Sequence, residues 1–187
     1  MHNSLAAYFP AAAACVQLLG LPAYAVESLP SHCSPTEQTY LTATMANFVR
    51  QKDGVSFVPN GKILSICTDT SVAPAAQITY RYGAIGSIEL EKTATRQSPF
   101  SRFERSTSPH TGEEITFFKK GKYTYYVAEA TGQGHGITLK VFESKKRIAY
   151  LFSGTRKDQD YQSWMFGTNT FSVSPALVYR RPTHVLD

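Results

Sequence analysis

Few side chains in this sequence have the spacing that chemistry requires, and the best acid–base set surrounds one histidine. His110 precedes Glu113 and Glu114 by three and four residues. A histidine beside carboxylates can transfer protons or bind a metal, but this order differs from the HExxH motif, which places two histidines on one helix face. A solvated turn therefore explains the segment better than a catalytic site does.

Two other arrangements resemble catalytic motifs without matching them. Glu89 and Glu91 share one face of a predicted strand and could hold a proton between them, although ordinary alternation on a solvent-facing strand also explains the pair. His135 lies in a loop of alternating glycines, 132–136, whose spacing is not the dinucleotide-binding fingerprint. The sequence therefore predicts no catalytic residue, no cofactor and no metal site.

The cysteines indicate a disulfide rather than a reactive thiol. Cleavage after Ala25 would leave Cys33 and Cys67 as an isolated pair, which in an exported protein is most simply a disulfide. A redox or nucleophilic cysteine would be expected in a CxxC motif or with a histidine and an asparagine in a recognisable order, and neither pattern is found around these two. The predicted bridge joins the N-terminal segment to the first strands.

The N-terminal stretch, residues 5–25, is apolar and ends at residues 23–25 in Ala-Tyr-Ala. A small-x-small ending of this kind is typical of a signal-peptide cleavage site. We therefore predict a signal peptide at residues 1–25 and a single domain at residues 26–187. The mature chain is expected in the periplasm or outside the cell, with no stable membrane insertion after cleavage.

The chain is mildly basic, with 19 lysines and arginines, 14 acidic residues and a net charge of +5. The densest basic clusters, residues 119–122 and 145–147, fall at predicted hairpin tips, where solvated cations are ordinary. Nucleic-acid binding is therefore not predicted. The charge does permit contact with an anionic polymer of the cell envelope.

Residues 34–50 carry the signals of a helix. Ser34 can cap its N-terminus, Pro35 suits the first helical position, and Glu37 completes a capping box. Apolar residues then recur every three or four positions, at Tyr40, Leu41, Met45, Phe48 and Val49. The threonines between them favour a strand. We predict one N-terminal helix, with a strand as the alternative.

From Val55 onward the apolar period changes to two, which is typical of short strands. We predict a turn at residues 59–61, strands at 62–67, 77–82 and 87–92, a hairpin from 114 to 129 through Gly121, and a second pair at 137–141 and 148–152. Open sheet edges are costly, so the predicted fold is mainly β, an antiparallel barrel or closed sandwich.

The stretch Gly61-Lys62-Ile63-Leu64-Ser65-Ile66-Cys67, followed by Tyr80-Arg81-Tyr82-Gly83, Gly86 and Ile88-Glu89-Leu90, resembles a pattern in small exported bacterial proteins of uncharacterised function. The resemblance implies a periplasmic β protein without assigned catalytic residues. Lysozyme inhibitors of the bacterial envelope are similar in size, compartment and disulfide use, although their short inhibitory motif is not evident in this sequence.

We expect a non-catalytic binding module for an unknown envelope protein or polymer, of which a cell-wall hydrolase inhibitor would be one form. The candidate binding residues are Arg81, Arg102, Arg105, His110, His135 and Trp164. Two of these have an ordinary structural alternative, since Trp164 also suits the core and Arg81 an ion pair with a neighbouring strand.

Two alternative functions remain open. The first is a carrier of a small apolar ligand inside a barrel. Its interior would be lined by Tyr80, Tyr82, Phe117, Tyr125 and Phe152. The second alternative is an envelope hydrolase.

Overall fold

The computed structural model describes residues 29–70, 73–132, 135–154, 161–163, 171 and 173–182. This part of the chain is built from eleven strands. They are β1 Gln38–Gln51, β2 Gly54–Thr68, β3 Ile78–Ala84, β4 Ser87–Ala94, β5 Phe100–Ser108, β6 Thr111–Lys120, β7 Tyr123–Gly132, β8 Ile137–Glu143, β9 Lys146–Ser153, β10 Tyr161–Ser163 and β11 Leu177–Tyr179. Among the described residues, no helix has the length and apolar character needed to cross a bilayer.

The strands form one sheet that curls into a nearly closed barrel. Their order is β11-β5-β6-β7-β8-β9-β1-β2-β3-β4, and β10 pairs with the first half of β1. Across the interior, the Tyr80 ring of β3 lies 5.0 Å from the Phe118 ring of β6. Lys120 of β6 also donates a hydrogen bond to the Glu91 carbonyl of β4 at 3.0 Å. The prediction of a mainly β barrel is confirmed at this level.

The barrel is mixed rather than purely antiparallel. β11 pairs with β5 in parallel, with Leu177 opposite Phe100, whereas the other named strand pairs are antiparallel. The two predicted hairpins are confirmed, since Lys120 pairs with Tyr123 at one turn and Glu143 pairs with Lys146 at the other.

The predicted N-terminal helix is wrong, because residues Gln38–Gln51 form strand β1. One of the two capping-box contacts forms, with the Ser34 N–H donating to the Glu37 carboxylate at 2.7 Å, whereas the Glu37 N–H donates to the Ser34 backbone carbonyl at 3.0 Å rather than to its hydroxyl. They close a single turn before β1. Four consecutive residues, Tyr40 to Ala43, are then buried, so this strand lacks the alternation of a half-buried one and imitates a helical period.

The turn predicted at residues 59–61 lies inside β2. Met45 pairs with Lys62 and Ala46 pairs with Pro59, so two extra residues of β2 form a bulge. Gly61 within it has a φ of 70°, which glycine adopts readily. A bulge bends and twists a hairpin, and here it separates an inner half of β1–β2 from an outer half.

The barrel interior is filled with aromatic and aliphatic side chains. The Phe118 ring stacks on Phe100 at 4.7 Å and on Tyr125 at 5.1 Å. Phe117 and Phe152, predicted to line the interior, lie on the other face of the sheet. Their neighbours Phe118 and Leu151 belong to the interior core, and strand alternation turns the adjacent side chain outward.

The predicted disulfide between Cys33 and Cys67 is confirmed, with a Cα–Cα distance of 5.5 Å. It ties the segment before β1 to the end of β2. Disulfides persist in oxidising compartments, so this bond favours a location outside the cytoplasm.

Candidate functional site

A buried ionic cluster centred on Arg102 lies in the barrel interior. The Arg102 side chain on β5 is fully buried, and its Nη1 lies 3.3 Å from Oε1 of Glu129 on β7. Nη1 also donates to Thr116 Oγ1 at 3.2 Å, and Nη2 contacts Glu114. The Arg102 Nε finds no hydrogen-bond partner among the described residues.

Tyr40 joins this cluster from β1. Its hydroxyl donates to Glu129 at 3.0 Å and accepts from Arg102 Nη2 at 3.3 Å. Burial raises the pKa of Tyr40, and the charge of Glu129 adds to that effect. Burial likewise raises the pKa of Glu129, although Arg102 opposes the increase. The Arg102 guanidinium also lies 4.8 Å from the Phe171 ring.

This cluster joins strands β1, β5, β6 and β7, and its members Arg102, Glu129 and Tyr40 are buried, whereas Glu114 at its edge is 33% exposed. Charges removed from water persist only where counter-charges and hydrogen bonds compensate for lost hydration, and Glu129 and Tyr40 meet that need for Arg102. Arg102 was predicted as a binding residue, yet its full burial makes it an internal residue that no surface partner can contact.

Arg81 is also engaged within the fold. Its Nη1 lies 2.6 Å from Glu37 Oε2, and its Nε lies 2.7 Å from Oε2 of Glu91, its partner on β4. The alternative that paired Arg81 with a neighbouring strand is therefore confirmed. Burial would raise the pKa of Glu37, but the hydrogen bond from Arg81, the hydrogen bond from the Ser34 N–H and the charge of Arg81 together outweigh it and lower that pKa.

The carboxylates singled out for acid–base chemistry each have their own cation. Glu91 pairs with Arg81, and Glu89 Oε2 lies 2.7 Å from Lys62 Nζ. This arrangement therefore does not favour a proton shared between Glu89 and Glu91. Glu113 accepts a hydrogen bond from Arg105 Nε at 3.1 Å, so these two candidate residues are paired with each other.

The two candidate histidines lie at one end of the sheet. His110 is exposed in the β5–β6 turn, and His135 is exposed just before β8. Because Thr111 pairs with Gly132, the β5–β6 turn and the β7–β8 loop are neighbours. His135 Nδ1 lies 3.4 Å from the Tyr161 hydroxyl. Trp164, the sixth candidate, falls outside the described residues.

A surface that the sequence reasoning missed lies beyond the bulge in β1–β2. We call residues 46–59 the arm. Its strands pair with each other, but β9 reaches β1 only at Ala46 and Asn47, and β3 pairs with β2 only from Lys62 onward. In the described part of the chain, the outer edge of β2 over residues 54–59 therefore has no strand beside it. Such an edge can accept another binding element.

The arm exposes apolar side chains on both of its faces. Val55 is 53% exposed, Val58 47% and Phe57 38%. Phe57 lies opposite Phe48, whereas Val58 lies opposite Asn47, so Phe57 and Val58 point to opposite faces. A hairpin that only projected into water would be polar on at least one face.

Aromatic rings support one face of the arm. The Phe48 ring stacks on Tyr150 of β9 at 4.6 Å, and the Phe57 ring lies 4.8 Å from Phe152 of β9. The signal was present in the sequence, since Phe57 and Val58 are consecutive apolar residues that break the alternation of a half-buried strand. The predicted turn at residues 59–61 placed the start of the next strand at Lys62, so Phe57 and Val58 were not assigned to that strand.

Comparison of the chain with known protein families, characterised proteins and solved structures finds no match. The resemblance to small exported bacterial proteins therefore stays a prediction. The function has to be inferred from the fold and its surface.

Proposed function

We propose that this protein is an exported, non-catalytic binding module of the cell envelope and that the arm is its binding surface. The observation that carries the proposal is the exposure of Val49, Val55, Phe57 and Val58 on a hairpin that lies outside the barrel core. Large apolar side chains that are exposed together in one part of a domain, here on both faces of one hairpin, commonly mark an interaction site. The partner is an envelope protein or polymer.

Two observations support export. The disulfide is of a kind that persists in oxidising compartments, and the apolar residues 5–25 end in a small-x-small sequence. The mature protein would then be residues 26–187, in the periplasm or outside the cell.

The contacts inside the barrel favour binding at the surface over a ligand carrier. The interior rings of Phe100, Phe118 and Tyr125 stack on one another. A carrier would need some of that space for its guest. Beside them lies the Arg102 cluster, which is unsuited to an apolar ligand. The ion pairs of Glu89, Glu91 and Glu113 similarly favour a structural role for those carboxylates over catalysis.

The proposal is tested by capture with matched variants. The protein is immobilised and exposed to envelope extract and to a lysozyme, because hydrolase inhibition is one form that binding could take. Val55→Ser/Val58→Ser alters the arm, and Val173→Ser, at a valine that is 60% exposed outside the arm, is the control. Exposed substitutions of this kind change stability by only about 0.5 kcal/mol, so each variant should remain folded.

We expect a component that wild type and the Val173 variant retain and that the arm variant loses. Equal retention by all three proteins would contradict the proposal. Native mass spectrometry of the bait tests the carrier alternative. A carrier would show the extra mass of a bound ligand, and the arm substitutions would not remove that mass.

A further inference from the structure

The positive charge of this protein is concentrated in three chain turns. Residues 47–58, 118–124 and 143–149 together hold eight lysines and arginines but only two acids, Asp53 and Glu143. The whole chain has 19 cations and 14 acids, so the remainder has 11 cations and 12 acids. The net charge of +5 therefore arises in these turns, and the rest of the chain is close to neutral.

The sheet places the three turns side by side. Lys120 pairs with Tyr123, Tyr123 with Glu143, and Glu143 with Lys146, so the β6–β7 and β8–β9 turns lie in one row. β1 follows β9 in the sheet, and the contact of Phe48 with Tyr150 places the arm beside the β8–β9 turn. We call this part of the molecule the basic end.

The basic end also holds much of the exposed apolar surface. Five of the nine large apolar residues exposed in the described part of the chain belong to it. They are Val49, Val55, Phe57, Val58 and Ile148. Cations and apolar groups are in direct contact there, since the Arg147 guanidinium lies 5.0 Å from the Tyr150 ring that stacks on Phe48.

We propose that the basic end docks on the surface of a bilayer that contains anionic lipid. Peripheral membrane binding combines apolar side chains that enter the headgroup region with cations that meet the negative surface. The basic end supplies both on adjacent turns. This inference rests on the proposed binding role of the arm and adds a lipid surface to the protein or polymer proposed as its partner.

The charge argues against a second copy of the chain as the occupant of this surface. A symmetric contact would place the same cations of both copies against each other, which repels. A bilayer instead presents negative charge over an area wide enough to meet all three turns. An acidic protein could match the charge alone, and the test separates it from lipid.

The test uses sedimentation of the protein with vesicles of phosphatidylcholine that contain phosphatidylglycerol and with vesicles of phosphatidylcholine alone. The protein for this experiment is purified in the form, with or without residues 1–25, in which it accumulates in the cell. A charge variant, Lys52→Gln/Lys119→Gln/Lys145→Gln, removes one cation from each turn. Its control removes three exposed cations elsewhere, and consists of Arg96→Gln, Arg180→Gln and Arg181→Gln.

We expect binding to the anionic vesicles that weakens with added salt. The charge variant should bind about 100-fold more weakly, since each cation near an anionic surface contributes roughly fivefold in affinity. The control variant should bind like wild type, and Val55→Ser/Val58→Ser should also bind more weakly. Equal loss in both charge variants would overturn the basic end as the docking surface, because net charge alone would then explain binding.

Failure of this inference is distinguishable from failure of the proposed function. In one outcome the protein does not bind anionic vesicles, but Val55→Ser/Val58→Ser still abolishes retention of an envelope component. The lipid assignment is then wrong, and the proposed binding module stands. A protein that shows neither behaviour overturns both.

Discussion

The buried cluster around Arg102 makes a quantitative prediction about stability. In Arg102→Met, the carboxylate of Glu129 would stay buried, with its side chain 3% exposed and, among the described residues, only the Tyr40 hydroxyl left to bind it. Breaking a buried ion pair by removing one partner typically costs about 3–5 kcal/mol. Glu114 adds little to this cost, because its side chain is 33% exposed and can be hydrated. We therefore expect the free energy of unfolding to fall by about 3–5 kcal/mol.

Removal of both charges should be far milder than removal of one. Replacement of a buried ion pair by apolar residues is often neutral or stabilising, by about 1–4 kcal/mol. Arg102→Met/Glu129→Leu also leaves the Tyr40 hydroxyl without a partner among the described residues, at about 1–3 kcal/mol, whereas Thr116 loses Arg102 in both variants. These effects largely offset each other. The double variant should therefore be clearly more stable than Arg102→Met.

Urea unfolding followed by circular dichroism measures both variants, with changes in midpoint compared at a constant m-value. The pH dependence is a second signature. Burial raises the pKa of Glu129, so the folded state binds a proton at this carboxyl more readily than the unfolded state does. The free energy of unfolding therefore falls as the pH rises from the ordinary glutamate pKa to the raised one. Loss of Arg102 enlarges this effect, and the deficit of Arg102→Met should shrink on acidification. A double variant less stable than Arg102→Met, or a pH-independent deficit, would refute the reasoning.

Three further predictions concern the disulfide, the Glu37 ion pair and export. Cys33→Ser/Cys67→Ser opens a loop of 34 residues and should lower the free energy of unfolding by up to about 4 kcal/mol; equal melting temperatures with and without reductant would count against a stabilising bond. Although burial opposes it, Arg81 lowers the pKa of Glu37, so this carboxylate stabilises the fold above the ordinary glutamate pKa and loses that effect as the pH falls. Glu37→Gln should therefore lose less stability than wild type between about pH 7 and about pH 3, and parallel curves would speak against the ion pair. N-terminal sequencing of protein from the envelope should begin at Val26, and a sequence that begins at Met1 would exclude cleavage after Ala25.

The sequence predicted those parts of the fold in which one face of a strand is buried and the other is solvated. The β8–β9 hairpin is of this kind, and its turn at Ser144 lies where the change of pattern placed it. Residues 126–129 of β7 are buried on both faces, and the β6–β7 hairpin was predicted from its turn at Gly121. β1 was misassigned because burial on both faces removes the alternation. Its local capping signals were real, but they close a turn, and pairing with β2 and β9 decides the rest.

The internal cluster could not be predicted from local sequence. Arg102 lies between Ser101 and Phe103 and resembles a solvent-facing residue of a strand. Its counter-charge, Glu129, is 27 residues away and meets it only because the sheet closes around the interior. The parallel strand β11 is equally non-local. The arm did have a local signal, in the consecutive apolar residues Phe57 and Val58.

The central claim is that the arm is the binding surface, and site-specific photo-crosslinking in intact cells tests it most directly. A photoreactive residue is introduced at Val58, and in a matched protein at Val173, where the exposure is comparable but lies outside the arm. We predict an adduct of defined mass from position 58 and none from position 173. Identical adducts from both positions, or no adduct from position 58, would contradict the claim.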